Sequence, residues 1–428
     1  MSLYKRLISK LTSNDFFKNV IVLMTGTTLA QAIPILASPL LTRLYTPDQY
    51  GTSALFMAIV TVCSVIATFR YELSIMLPAK DEDAINIFAL AIFISVALSI
   101  FFLFIIAFFN KVLVSLLHNA DISIWLYFVP LMVLLIGLYQ CMYYWMSRNR
   151  EYNRLATGQV TRSGVKTGTQ VGAAYIIPTI GTPGLIIGAI TGQFIATIVL
   201  WIQAGKEITS KLKYINKATI FNQAKGYKNF PLINSPHALV NNLSSNLPVM
   251  LLTGFFSSKV AGFYSLSLAV VMTPVSLIGN AIGQVFYQRI SNAYNNGEKL
   301  FPLVTRLIKG LFLIAVIPFF LLFILAPYIF TFIFGQEWKE AGRYTCILIP
   351  WVFMVFLVAP LSYLPITLGY QKKAFIIEII GICTKFLALF IGSYFQKSSI
   401  ALMLFSLSGF LILAYSFIWI INISKREG

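Results

Sequence analysis

The chain has 428 residues, of which 58% are hydrophobic and 11% charged, with a mean hydropathy of +0.81. A water-soluble domain carries about a quarter charged residues, so the composition excludes a soluble globular protein and implies a surface that mostly faces lipid. The formal net charge of +18 reads as the lysine and arginine bias of membrane loops, and no nucleic-acid partner is expected.

The first 18 residues, with Leu3, Leu7, Ile8 and Leu11 among Lys5, Arg6 and Lys10, form an amphipathic pattern suited to a membrane surface. The apolar run from Phe16 is long enough to span, unlike the core of a cleavable signal, and none is expected. A span takes roughly 20 mostly apolar residues. That places about twelve, near 16–41, 51–77, 85–109, 122–147, 153–177, 183–204, 230–254, 260–288, 307–333, 342–369, 374–395 and 398–423. Turn-like or charged breaks separate them, among them Thr46-Pro47-Asp48, Lys80-Asp81-Glu82-Asp83, Arg148-Asn149-Arg150 and Gly335-Gln336-Glu337. With the N-terminus placed in the cytoplasm and cations at span edges counted with the adjoining loop, 22 of the 32 lysines and arginines fall on the cytoplasmic side, 6 outside and 4 deep within spans. This bias predicts that both termini are cytoplasmic.

Residues 205–229 carry six lysines and read as a cytoplasmic linker. The expected organisation is an N-terminal six-helix lobe over 1–204 that includes the amphipathic segment, the linker, and a C-terminal six-helix lobe over 230–428. The halves look related. Leu41–Val60 aligns without gaps on Leu252–Val271, an offset of 211, with six identities: Leu41/Leu252, Thr42/Thr253, Gly51/Gly262, Leu55/Leu266, Ala58/Ala269 and Val60/Val271. Copies six helices apart share one orientation. The expected fold is therefore all-α and polytopic, with a parallel pseudo-repeat and a substrate site near the midplane between the lobes.

Four cations fall inside spans: Arg70, Arg162, Lys166 and Lys385. Each costs about 2.5–3.5 kcal/mol at a helix centre, on the order of 10 kcal/mol together if they faced lipid, so a wet cavity or partners are expected. In span five Gln159, Arg162, Ser163, Lys166, Thr169 and Gln170 recur on one helical face. Arg162 and Lys166 lie one turn apart with no carboxylate in the span, so an anionic ligand would relieve their repulsion; a structural polar seam is the alternative. Lys385 is open to a cavity role or to pairing with another helix. A contact with Glu378, seven residues earlier and about 10 Å along a helix, would be strained. Arg70 and Glu72, two residues apart on an expected helix, should not pair with each other; a cytoplasmic gate and an interhelix bridge both remain open for them. Asn234, His237, Asn241 and Ser245 share a face of span seven, and Thr273, Ser276, Asn280 and Gln284 share one of span eight. These stripes suit sugar hydroxyls or helix–helix hydrogen bonds. No metal or cofactor motif and no enzyme signature is present, and the four cysteines, all within apolar runs, read as packing residues.

Several stretches carry a family resemblance: Leu41-Thr42-Arg43-Leu44-Tyr45 with Pro47, Tyr50 and Gly51; Arg70-Tyr71-Glu72 with Pro78; Gln140, Tyr144-Trp145, Arg148 and Tyr152; Tyr227-Lys228-Asn229-Phe230-Pro231; Gly262-Phe263-Tyr264; and Phe334-Gly335 with Trp338. In order and spacing they resemble Wzx-type oligosaccharide flippases of the polysaccharide transport family, within the multidrug/oligosaccharidyl-lipid/polysaccharide exporter superfamily. The resemblance implies a MATE-like fold of two lobes around a central cavity that alternates access, in a bacterial inner membrane. It implies a flippase, not an enzyme, that moves undecaprenyl-pyrophosphate-linked oligosaccharide repeat units to the periplasmic leaflet for O-antigen or capsule assembly. Membrane lipids, a polysaccharide polymerase and a chain-length regulator are the implied partners. On this reading Arg162, Lys166, Lys385, Arg70 and Gln159 contact substrate, with Asn234, His237, Asn241, Asn280 and Gln284 toward sugar and Arg70 and Glu72 at a gate. A cation-coupled drug antiporter of the same superfamily and a membrane glycan polymerase are the alternatives.

Overall fold

The computed structural model describes residues 15–426; the first 14 residues of the expected amphipathic segment lie outside them. Every regular element among the described residues is helical, and twelve helices have 18 residues or more. They are α1 (Asp15–Leu44), α2 (Pro47–Ser64), α3 (Asp81–Leu117), α4 (Val129–Arg148), α5 (Tyr152–Ile176), α6 (Thr182–Lys211), α7 (Ser235–Phe255), α8 (Ser258–Asn295), α9 (Leu300–Phe334), α10 (Lys339–Val358), α11 (Gln371–Tyr394) and α12 (Ser398–Arg426). Eight of them, α3, α4, α6 and α8 to α12, are long and apolar enough to cross a membrane. Of the other four, α5 and α7 carry polar stripes noted in the sequence. A helix of 37 residues such as α3 is about 55 Å long against a hydrocarbon core of about 30 Å, so its ends reach past the lipid.

The ends follow local chemistry. Thr46 and Gln49 close a capping box ahead of α2, with Pro47 in the first turn. Asp81, Glu82 and Asp83 occupy the first turn of α3, where the helix dipole favours negative charge. Gly181 (φ 56°) makes the turn into α6, and Gly335 (φ 103°) ends α9.

Contacts divide the chain into two compact units, one ending at Met250 and one starting at Leu251, so α7 runs through the boundary. The stretch read as a linker contains the short helix Lys217–Gly226. In the first unit α2 packs on α4, α3 on α4 and α6, α4 on α6, and α5 on α6. In the second unit α8 packs on α10, α9 on α10 and α12, α10 on α12, and α11 on α12. Adding six to each helix number in the first set gives the second set, while the packing of α1 on α5 and of α2 on α6 in the first unit has no comparable counterpart among the described residues of the second.

The repeat extends to detail. Helix α1 ends at Leu44 and α7 at Phe255, and the N-caps that follow are Thr46 and Ser257, each pair 211 apart. Each cap side chain accepts from the backbone N–H three residues on, Gln49 and Val260. Five of the six sequence identities are buried in both copies; the exception is the pair whose second member, Ala269, is exposed. The matches are therefore core positions of one helix–turn–helix used twice.

One expected span breaks. Residues 51–77 do not form a continuous helix: α2 stops at Ser64, the backbone continues on i to i−3 hydrogen bonds, Phe69 and Arg70 take positive φ (47° and 63°), and a short helix covers Tyr71–Ser74. Hydropathy does not sense this, because the broken segment is as apolar as the helix before it. Smaller breaks occur in span four, where Ser123–Leu126 precedes α4, in span seven, where a π turn over Phe230–Asn234 precedes α7, and in span ten, where Ala359–Ser362 and Tyr363–Thr367 follow α10.

Candidate functional site

Helices α4, α5 and α6 build the site around Arg162 and Lys166. Glycines of α6 bring it tight against α5. A Cβ on Gly192 would lie 2.7 Å from the Arg162 carbonyl oxygen and from Lys166 Cβ, and one on Gly188 would lie 2.9 Å from the Lys166 carbonyl oxygen. Small residues at such contacts let helix backbones approach in lipid. Hydrogen bonds secure the far end of this face: Gln170 Nε2 donates to the Leu185 carbonyl (2.9 Å), Thr191 Oγ1 to Thr169 Oγ1 (3.2 Å), and the Tyr45 hydroxyl to the Gln170 carbonyl (2.6 Å). Gln159 accepts from Thr27 Oγ1 of α1 at 2.8 Å. The polar face read from the sequence is thus divided. Gln159, Thr169 and Gln170 hold helices together, while Arg162 is exposed and Lys166 half-buried.

Neither cation makes a hydrogen bond or ion pair within the described residues. The Arg162 guanidinium instead lies over the Tyr139 ring of α4, 5.9 Å from its centroid. Tyr139 stacks on Tyr143 one turn later (6.3 Å, 30°). Tyr139 is buried, its hydroxyl has no hydrogen-bond partner among the described residues, and that oxygen faces Gly158 of α5.

In the second unit Lys385 of α11 also lacks a carboxylate within ion-pair range among the described residues. Its ammonium lies 5.4 Å from the Trp351 ring of α10 and 5.9 Å from the Phe405 ring of α12. Those rings meet edge to face at 5.2 Å, and Gly409 makes room for the indole, since a Cβ there would lie 2.6 Å from Trp351 Cδ1. Glu378 is exposed and forms no ion pair with Lys385, as the helical rise predicted.

The expectation for Arg70 and Glu72 is corrected. Arg70 Nη1 lies 3.4 Å from Glu72 Oε1. The argument against pairing assumed an α-helix, and the positive φ values at Phe69 and Arg70 remove that helix. Glu72 is 1% exposed and also accepts from Thr68 Oγ1.

A polar cluster missed in the sequence reading holds this turn. Arg148, at the end of α4, donates to the carbonyls of Pro78 (2.7 Å) and Ile75 (3.3 Å) and to Asp81 Oδ1 (3.0 Å). Lys211 of α6 bonds the other Asp81 oxygen and lies 3.4 Å from Glu207, which also accepts from Asn149 at 2.8 Å. The short helix Lys217–Gly226 joins through Gln223 Nε2 to Asp83 (2.9 Å) and through the Tyr71 hydroxyl to the Ala224 carbonyl (2.9 Å). The Arg148-Asn149-Arg150 break gave the signal for its position but not for its partners.

The uncharged stripes stay on the surfaces of their own helices. Asn234, His237 and Asn241 are exposed on and just before α7, as are Asn280 and Gln284 on α8. Thr273 and Ser276 turn back onto their own helix carbonyls. An apolar recess of about 440 Å³ in the second unit, lined by Phe323, Cys346, Pro350, Met403, Leu407 and neighbours, holds none of the expected site residues.

Similarities to known proteins bear on this arrangement. Residues 40–343 match a family described as "Polysaccharide biosynthesis protein". No match was found among curated proteins. Among solved structures, an inward-facing multidrug resistance MATE family transporter of the MOP superfamily superposes with a TM-score of 0.71 at 14% identity, covering 94% of this chain and 96% of that one. The lipid II flippase MurJ, in an inward closed conformation, gives 0.68 at 15% identity over 95% and 90%. A MOP superfamily transporter from Pyrococcus furiosus, described as having a binding pocket of reverse polarity, gives 0.55 at 13% identity over 96% of each chain. These likenesses establish the fold. The sequence match spans more than half of the chain, which therefore belongs to the polysaccharide biosynthesis protein family and is a multi-pass membrane protein with the fold of MOP superfamily transporters.

Proposed function

We propose that this protein is a flippase that carries undecaprenyl-pyrophosphate-linked oligosaccharide repeat units from the cytoplasmic to the periplasmic leaflet of a bacterial inner membrane, for O-antigen or capsule-type polysaccharide assembly. Both termini lie in the cytoplasm, and the repeat units pass to a polymerase and a chain-length regulator. Two lobes, 1–204 and 230–428, alternate access to the substrate.

One observation carries the reading: Arg162 and Lys166 sit one turn apart on α5 with no ion pair to either among the described residues. Two unneutralised cations one turn apart attract a pyrophosphate, because the ligand relieves their repulsion. Lys385 is a further cation of the same kind. The exposed amides Asn234, Asn241, Asn280 and Gln284, with His237, suit sugar hydroxyls, and Gln159 borders the cation pair. Arg70 and Glu72 act at a gate, where the broken helix supplies a hinge. A ligand shifts the protein between states only by binding one better, and charge relief at Arg162 and Lys166 provides that difference.

A cationic drug would need a free membrane carboxylate. Glu72 is already bonded to Thr68 and Arg70, which leaves the exposed Glu378 as the antiporter reading's candidate against four intramembrane cations. Complementation of an export-deficient strain tests the proposal: Arg162→Ala/Lys166→Ala protein, inserted at wild-type levels, should fail to restore surface polysaccharide. Full restoration would remove the cation pair from the mechanism.

A further inference from the structure

One intramembrane cation in each half rests on an aromatic ring. Helices α4 and α5 correspond to α10 and α11 by the six-helix shift. Lys166 and Lys385 are each the fifteenth residue of their helix, counted from Tyr152 and Gln371. In the first unit the cation one turn before Lys166, Arg162, rests on a ring from α4; in the second Lys385 rests on a ring from α10. Both aromatic contacts stand where a carboxylate would usually accompany a cation within a membrane-spanning segment.

We propose that Tyr139 and Trp351 are positioning residues: each holds its cation, charged and aimed, with its hydrogen-bond donors unspent for an anionic group such as a pyrophosphate. The proposal rests on the anion-site reading above and adds to it the device that keeps the site ready when empty.

The chemistry of the contact supports this. A ring occupies the face of a guanidinium and leaves the N–H groups in its plane free, so stacking and bidentate phosphate binding are compatible. A carboxylate partner would consume those same donors and compete with the ligand. Tyr139 serves through its ring alone. Its hydroxyl is unbonded among the described residues and lies toward Gly158, on the face of α5 that four residues later presents Arg162. Trp351 is fixed in the same sense by Gly409 and by the edge of Phe405.

The test uses purified full-length protein in detergent and inorganic pyrophosphate as the probe, followed by calorimetric titration. Tyr139→Phe and Trp351→Phe should bind as wild type does. Tyr139→Leu and Trp351→Leu should bind about 2- to 30-fold more weakly, the range expected for a cation–π contact. Tyr139→Met serves as a second ring-free variant if Tyr139→Leu does not yield monodisperse protein. A double-mutant cycle of Tyr139→Leu with Arg162→Met, read by thermal unfolding without ligand, should show coupling between the two residues. Absence of coupling overturns the pairing whatever the binding data show. Wild-type binding that Arg162→Ala/Lys166→Ala abolishes and Tyr139→Leu leaves unchanged overturns the positioning role and leaves the anion site standing. Wild-type protein that binds no pyrophosphate overturns the anion site, and the positioning role with it.

Discussion

A single added methyl at Gly192 should disturb the cation pair without touching a charge. The Cβ of Gly192→Ala would sit 2.7 Å from the Arg162 carbonyl oxygen, 2.7 Å from Lys166 Cβ and 2.9 Å from the Lys166 amide nitrogen. Ordinary contact begins at 3.4 Å, so α5 and α6 would have to separate by about 0.7 Å over this turn. Two of the three obstructing atoms belong to helix backbone and cannot rotate aside. Overpacking of this kind costs about 1–3 kcal/mol, which lowers the unfolding midpoint of a unit this size by about 2–12 °C. Gly168→Ala, on the facing helix, is the control. Nothing lies within 4 Å of a Cβ there, and replacing a helical glycine by alanine favours folding by roughly 0.5–1 kcal/mol. Thermal unfolding in one detergent, read by tryptophan fluorescence, should move in opposite directions for the two variants, and export should fall only for Gly192→Ala. A Gly192→Ala protein as stable and active as wild type would refute the close-packed α5–α6 contact.

Three further outcomes are expected. Arg148→Ala should lower stability by about 1–3 kcal/mol through the acceptors it leaves unmet, and Arg148→Lys should rescue only part of this because one ammonium cannot serve Ile75, Pro78 and Asp81 together; denaturation midpoints of the three proteins measure it. Thr46→Ala and Ser257→Ala should each cost about 1 kcal/mol as lost helix caps, with additive effects in the double variant. Glu72→Gln should leave the protein folded but slow its transport, since Arg70 loses its charged partner; a transport assay showing the wild-type rate would exclude a gate role for the pair.

Much of the helical order was legible in the sequence because lipid demands long apolar runs bounded by polar breaks. The break at Thr46-Pro47-Asp48 became a capping box, and the identities between Leu41–Val60 and Leu252–Val271 became shared core positions. The interruption after Ser64 was not legible, because backbone φ leaves no trace in hydropathy when Phe69 and Arg70 take positive values without glycine. That one miss also produced the wrong expectation for Arg70 and Glu72. In the site, helical spacing grouped Arg162 with Lys166. It could not show that Gln170 and Thr169 would be spent on α6, or that the rings beneath the cations would come from Tyr139 and Trp351, 23 and 34 residues away along the chain. Such partners are chosen by packing between helices, and one sequence carries no periodic signal for them.

The central claim is tested most directly by asking which leaflet holds the lipid-linked repeat units in cells that lack this protein. Complete units should accumulate on the cytoplasmic side, wild-type protein should clear them, and the Arg162→Ala/Lys166→Ala variant should not. Normal delivery of the units to the periplasm in the deletion strain, with only the length of the polymer altered, would contradict the flippase reading.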